Sequence, residues 1–207
     1  KAVLDNSFAV GTGKLNVRLG FQQNHRQEAN DATLGNVYNI YFHLNTFNYD
    51  VRYTLPEKNN FEISFGTNGM QQQSRNLGTV FLVPEYNLFD LGLFAIGRKT
   101  FNKLTLSGGL RFDNRNLQGD DLYLDDEGNK LDGPEPDALH RVTAYKSNFS
   151  GVSGSLGLAY DFTNAVYGKL NLSRGFRAPN IAESGSDGIH DGTPFYEIGD
   201  PNLKPET

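Results

Sequence analysis

Three side chains in one glycine- and proline-rich stretch offer the best binding chemistry: Arg177, His190 and Tyr196. They present a guanidinium, an imidazole and a phenol, which together can donate to and accept from a polar, anionic ligand. Each has an ordinary alternative. A lone loop histidine such as His190 is more often a hydrogen-bonding structural residue than a ligand. Arg177 could instead brace a wall by pairing with carboxylates or carbonyls. His25, His43, His140 and His190 form no His-Glu-x-x-His spacing, so no metal site is expected.

A second concentration of chemistry is acidic: Asp120, Asp121, Asp125, Asp126, Glu127, Asp132, Glu135 and Asp137. A calcium loop with Gly128 at its central turn would put Tyr123 at the first ligand position and Pro134 at the last. Both fail as ligands. The spacing predicts a hairpin instead, with Leu122-Tyr123-Leu124 and Lys130-Leu131 flanking Asp126-Glu127-Gly128-Asn129. Signals for catalysis are poor. Gly154-Ser155-Leu156-Gly157 lacks the full nucleophile elbow, and Gly11-Thr12-Gly13 lacks the third glycine of a dinucleotide site. No catalytic residue, no cofactor and no enzyme activity are expected.

The elements that must position these groups are strands. Leu15, Val17, Leu19 and Phe21 alternate with Asn16, Arg18, Gly20 and Gln22. Leu104, Leu106, Leu110 and Phe112 oppose Thr105, Ser107, Gly109, Arg111 and Asp113, and similar runs start at Phe61 and Val152. Between Tyr38 and Tyr53 the apolar set changes phase after Leu44, which predicts a bulge near Asn45 or Thr46. Asn87 to Gly97 reads as a further strand. Short connectors, as at Gly11 to Gly13 and Asp161 to Asn164, alternate with long ones near 24–36, 68–85, 114–147 and 178–206. Outer-membrane barrels alternate short turns and long loops in this way.

Composition sets the bounds. The 207 residues carry a net charge of -5, 23 glycines, 10 tyrosines, 15 phenylalanines and no cysteine. An acidic balance argues against a nucleic-acid partner, and without cysteine there is neither disulfide nor thiolate metal site. Mean hydropathy is -0.52, and no run approaches the ~18 apolar residues of a spanning helix. Barrel strands escape that test, because only alternate side chains meet lipid. No signal-peptide pattern opens the sequence, so an exported protein is expected to be represented here by a mature segment.

The C-terminal blocks narrow the reading. Arg174-Gly175-Phe176-Arg177-Ala178-Pro179-Asn180, then Gly188 to Thr193, then Asn202-Leu203-Lys204-Pro205-Glu206 resemble, in order, the barrel domain of TonB-dependent outer-membrane receptors. The resemblance implies an all-β fold: an antiparallel up-and-down meander of about eight strands, part of a transmembrane β-barrel. Residues 1–207 would then be a mid-barrel segment, without the plug and the remaining strands. It further implies uptake of a large scarce nutrient, a ferric siderophore first among them, across the outer membrane of a Gram-negative bacterium. TonB would act through the missing plug, and outer-membrane lipid would surround the wall. Related receptors often carry two adjacent histidines where this sequence has His190-Asp191, which weakens a claim for haem or iron ligation. Alternation by itself also admits a soluble secreted β-sandwich that binds a glycan or a protein. In the receptor reading Arg177, His190 and Tyr196 are the side chains expected to meet the ligand, whereas in a sandwich the aromatic and acidic loops would hold it.

Overall fold

The period-two runs become eight long strands, each hydrogen-bonded to its neighbour in chain order. The computed structural model describes residues 1–29, 38–189 and 194–207. The strands are β1 (Ala2–Val10), β2 (Gly13–Glu28), β3 (Ile40–Thr54), β4 (Phe61–Asn76), β5 (Tyr86–Phe101) and β6 (Leu104–Gly119). One long connector then holds three short strands: β7 (Leu122–Leu124), β8 (Lys130–Leu131) and β9 (Leu139–Val142). The wall resumes with β10 (Tyr145–Asp161) and β11 (Tyr167–Arg174). After it come one helix, α1 (Ile181–Gly185), and the strands β12 (Asp187–Ile189) and β13 (Tyr196–Ile198). The main sheet runs β1-β2-β3-β4-β5-β6-β10-β11, with every pair antiparallel. Most connectors are too short for a crossover helix, which favours antiparallel neighbours in chain order. The expected meander is borne out.

The register fixes the two faces. One continuous row, Phe21-Phe47-Gln71-Phe89-Asn116-Asn148, crosses six strands. From β2 to β5, the side chains toward the short turns on that face are mostly apolar, as are Leu104, Leu106, Leu110 and Phe112 on β6 and Val152, Leu156 and Leu158 on β10. The opposite face carries Arg18, Asp50, Asp90, Arg111, Asp113 and Arg115. The segment that follows β11 folds back over this charged face, which is therefore the inner one: Arg115 Nη1 lies 3.5 Å from the Pro179 carbonyl oxygen.

Two expectations need correction. There is no bulge at Asn45 or Thr46: β3 pairs residue for residue with both neighbours from Phe42 to Thr54. The phase change is a change of surroundings along a regular strand. Phe47, Tyr49, Val51 and Tyr53 lie on the outer face, whereas Ile40, Phe42 and Leu44 lie on the inner face near the long connectors. The long loops are also shorter than expected, because β4 continues to Asn76 and β6 to Gly119. Sequences such as Gln71-Gln72-Gln73 and Asn114-Arg115-Asn116 are polar on both faces, so alternation is silent there although the ladder continues. Strands of up to 17 residues exceed the ~9–11 that cross a bilayer.

The β-sandwich alternative also fails. It needs a second sheet over the apolar face, yet Leu110, Leu156 and Leu172 remain 67%, 69% and 66% exposed. The buried core lies elsewhere, on the inner face near the long connectors. There Tyr86, Leu88 and Leu117 pack with Leu44, Met70, Tyr145 and Ile181. Leu117, only 1% exposed, is its centre. Leu117→Ala in the full-length protein should lower unfolding stability by ~2–5 kcal/mol, the range for a buried leucine left as a cavity. Denaturant titration of the purified protein measures it, and an unchanged midpoint would show that this cluster does not hold the connectors down.

Candidate functional site

The chain leaves the wall at Arg174, and Ala178-Pro179 then prevents further ladder pairing, since proline has no donor. Phe176 turns back onto the inner face of β10 and fills the space over Gly151; a Cβ at 151 would overlap its ring. Asn180 then opens α1 with a capping box: its side chain accepts from Glu183 N at 3.0 Å, and Glu183 Oε2 accepts from Asn180 N at 2.9 Å. Gly199 lies against α1 so closely that a Cβ would run into the backbone of Ser184 and Ser186.

Arg177 ties these pieces together. Its backbone pairs with Glu206 in both directions, at 3.0 and 2.9 Å. Its guanidinium donates to Glu206 through Nε and Nη2, at 2.9 and 2.8 Å, and through Nη1 to both oxygens of Glu183, at 3.0 and 2.9 Å. Such a fork is what guanidinium geometry suits. Hydrogen bonds from Arg177 hold the Glu183 and Glu206 carboxyls below the usual carboxylate range, and the same bonds push the guanidinium up. The Arg-Gly-Phe-Arg and Asn-Leu-Lys-Pro-Glu blocks are thus two halves of one contact.

Tyr196 belongs to a second cluster. Its hydroxyl donates to Asp187 Oδ1 at 2.7 Å and accepts from Arg141 Nη2 at 2.9 Å. Arg141 also donates to the Asp187 carbonyl at 2.9 Å and lies 5.8 Å from the Tyr196 ring centroid. The bond to Asp187 raises the Tyr196 hydroxyl above its ordinary pKa. Tyr196 is still half exposed. His190 lies outside the described residues.

Sequence reasoning found part of the inner wall, with Arg111 and Asp113 on it, but not the pair at its centre, Arg115 with Asp90. A cavity of about 630 Å³ lies between this wall and the returning segment, lined by Asp50, Asn68, Asp90, Arg111, Asp113 and Arg115 among others. Arg115 and Asp90 face each other in register and pair at 2.7 Å. Alternation could have assigned Arg111 and Asp113 to it, as it did, but Arg115 lay in a stretch read as loop. The acidic connector forms the expected hairpin, Tyr123 opposite Leu131 and Leu124 opposite Lys130. Asp125 accepts from Asn129 Nδ2 at 2.9 Å, from Asn129 N at 2.7 Å and from Glu127 N at 2.9 Å. Asp121 accepts from Ala144 N at 3.0 Å and contacts His140 Nε2 at 2.8 Å. Both carboxyls are held low by these bonds, and no group of three metal-capable side chains occurs among the described residues.

An antiparallel meander with an exposed apolar outer face, a charged inner face and its long connectors at one end is a segment of a transmembrane β-barrel wall. The chain belongs to the family described as TonB dependent receptor-like, beta-barrel, whose model matches residues 3–207. The resemblance read from the C-terminal blocks is confirmed. Similar solved structures include the copper transporter OprC, at TM-score 0.55 and 15% identity over 93% of this chain and 31% of that one. Another is a double mutant of the Serratia marcescens hemophore receptor HasR in complex with its hemophore HasA and heme. It matches at TM-score 0.50 and 15% identity over 98% of this chain and 39% of that one. The chain therefore spans only 31% and 39% of the lengths of these two structures, and at this identity they speak for the fold alone. Comparison with curated proteins gave no match.

The Arg177 contact has a pH signature. Carboxyls held low in the folded state contribute stability above their unfolded pKa, near 4.5, and lose it as pH falls through the folded value. Residues 175–189 and 194–207 should accordingly become protease-sensitive below about pH 4 and not on the alkaline side. Arg177→Ala should show that sensitivity already at neutral pH. Limited proteolysis across pH reads both; equal cleavage of variant and parent at pH 7 would remove Arg177 from this role.

Proposed function

We propose that this chain is a mid-barrel segment of an outer-membrane TonB-dependent transporter that takes up a large scarce nutrient, in the first place a ferric siderophore. The observation that carries the reading is the outer face, apolar toward the short turns and polar from the row of Gln71, Asn116 and Asn148 onward. Side chains exposed in this pattern suit a wall that leaves lipid partway along each strand. No helix among the described residues is long and apolar enough to cross a membrane, so spanning falls to the strands. The family is one of transport receptors rather than enzymes.

In the mechanism, the long connectors meet the nutrient at the outer end, a plug outside this chain closes the lumen, and TonB acts on that plug. The inner wall supplies paired charges, Arg115 with Asp90 and Arg111 with Asp113. Such pairs present a polar surface without a net field of one sign. Tyr196 and His190 are the side chains offered to a chelate. Arg177, with both faces of its fork bonded to carboxylates, serves the site by joining the segment after β11 to α1 and to the residues around Glu206. OprC and the HasR complex involve copper and heme, which makes cargo the variable part of this fold.

The test is uptake of labelled ferric siderophores by iron-starved cells that carry the full-length protein, with and without TonB. TonB-dependent uptake is expected. Tyr196→Ala and His190→Ala should weaken binding, and Arg177→Ala should lower the amount of intact receptor. Leu106→Arg, on the apolar outer face, should destabilise the wall by ~2–4 kcal/mol. Uptake of copper or haem with no siderophore taken up would remove the siderophore from the reading. Indifference of stability to Leu106→Arg would remove the membrane.

A further inference from the structure

β11 ends at Arg174, while its partner β10 begins as far out as Tyr145. β10 pairs with β11 only from Gly154 onward, and its stretch from Tyr145 to Ser153 pairs with β6 alone. That stretch is a free edge among the described strands. The turn after β10 fixes which groups face the edge. Phe162 N donates to the Val166 carbonyl oxygen at 3.0 Å, so hydrogen-bonded positions toward β11 fall on every second residue back from Phe162 as far as Gly154. The series continues at Val152 and Ser150, whose N–H and C=O groups point at the open edge.

The residues after β11 match that edge. Carrying the register on sets Gly175 beside Ser153, Phe176 beside Val152, Arg177 beside Gly151 and Ala178 beside Ser150. Phe176 would then stand on the outer face against Val152 and, one strand further, Phe112, which are 54% and 41% exposed there. Arg177 would stand on the inner face at Gly151, whose partner on β6 is Asp113. Its guanidinium would exchange Glu183 and Glu206 for a carboxylate of the inner wall. Ala178 precedes a proline and is thereby restricted to extended backbone, as a ladder requires. Pairing as far as Ala178 stops short of Pro179.

In the structure the same residues lie elsewhere. Phe176 covers Gly151 from the inner side, and with Arg177 and Ala178 it lines the inner-wall cavity of about 630 Å³. We propose that residues 175–178 are a gate with two positions: seated inward they cover this cavity, and zipped onto the free edge of β10 they uncover it. The seated form has the backbone pair of Arg177 with Glu206 and the exposed fork to Glu183 and Glu206. The zipped form has hydrogen-bonded pairs at Val152 and Ser150 instead. Bonds of like kind stand on both sides, which is the condition for a bistable element. A molecule entering the cavity needs the space that Phe176 fills, so it favours the zipped form by the difference in its contacts between the two. The gate goes beyond the transport reading and is the same for any cargo.

The experiment uses the full-length receptor carrying Ser150→Cys and Ala178→Cys. Seated, Ser150 faces outward by register while Ala178 lines the cavity on the inner side, so no bridge can form between them. Zipped, they are direct partners with Cα atoms about 5.5 Å apart, within the range of a disulfide. Oxidation with copper phenanthroline, read by peptide mass mapping, should bridge this pair and leave Lys146→Cys with Ala178→Cys, displaced along the same edge, unbridged. Adding Gly151→Ala, whose Cβ overlaps the seated Phe176 ring, should speed the bridge about tenfold, as an overpacked seat is lost. Met70 lines the cavity and is the chain's one methionine. Peroxide should oxidise it several-fold faster in the bridged protein than in the unbridged one. Absence of a bridge even with Gly151→Ala overturns the proposal, as does bridging from position 146 as fast as from position 150. Bridging that leaves Met70 oxidation unchanged overturns it too, because the cavity is then not what the zipped form uncovers. None of these outcomes depends on which nutrient is carried, so the transport reading stands or falls by its own uptake assay.

Discussion

Every backbone polar group in a wall that meets lipid must find its partner inside the wall, because the hydrocarbon offers none. That constraint accounts for most of what is seen. It demands long, uninterrupted ladders, and the strands of the main sheet pair residue for residue without a bulge. It also frees the side chains from building a core beneath the outer face, so that leucines remain exposed there and the buried cluster is confined to the inner face near the connectors. With the ladder fixed, side chains specify only which medium each level meets.

The connectors obey different physics. They are anchored by a few directional contacts. Arg177 joins the segment leaving the wall to the residues around Glu206, the α1 capping box stiffens the stretch between, and Phe176 seats it on Gly151. Arg141 and Tyr196 join the β12–β13 hairpin to β9 in a similar way. These contacts are largely exposed, so each is worth little alone in water. They act together because a loop held at several points loses little further entropy when the next contact forms.

The fold was legible where one face meets an apolar medium and the other does not. The runs at Leu15, Phe61, Leu104 and Val152 each marked a strand, and the face assignment of Leu106 against Arg111 followed from period alone. Legibility ended where both faces meet polar surroundings, which is why Gln71 to Asn76 and Asn114 to Gly119 read as loop although they are strand. The apparent phase slip of β3 has another origin: toward the long connectors it is the inner face that is buried, and Ile40 and Leu44 lie on it. Of the candidate site, the linked C-terminal blocks were visible in sequence, but their bonding through Glu183 and Glu206 was not. Pairing across 29 residues leaves no periodic trace. Arg115 with Asp90 and Tyr196 with Asp187 were hidden for the same reason.

The central claim is that one face of each strand passes from lipid to water partway along its length. Nitroxide labels on the full-length receptor in vesicles, placed one at a time at positions 106, 111 and 116, test it directly through collision with oxygen and with a water-soluble nickel chelate. The account predicts oxygen-dominated relaxation at 106 and chelate-dominated relaxation at 116, which share a face, with 111 shielded from lipid on the other. The same lipid signature at 106 and 116, or at 106 and 111, would contradict it.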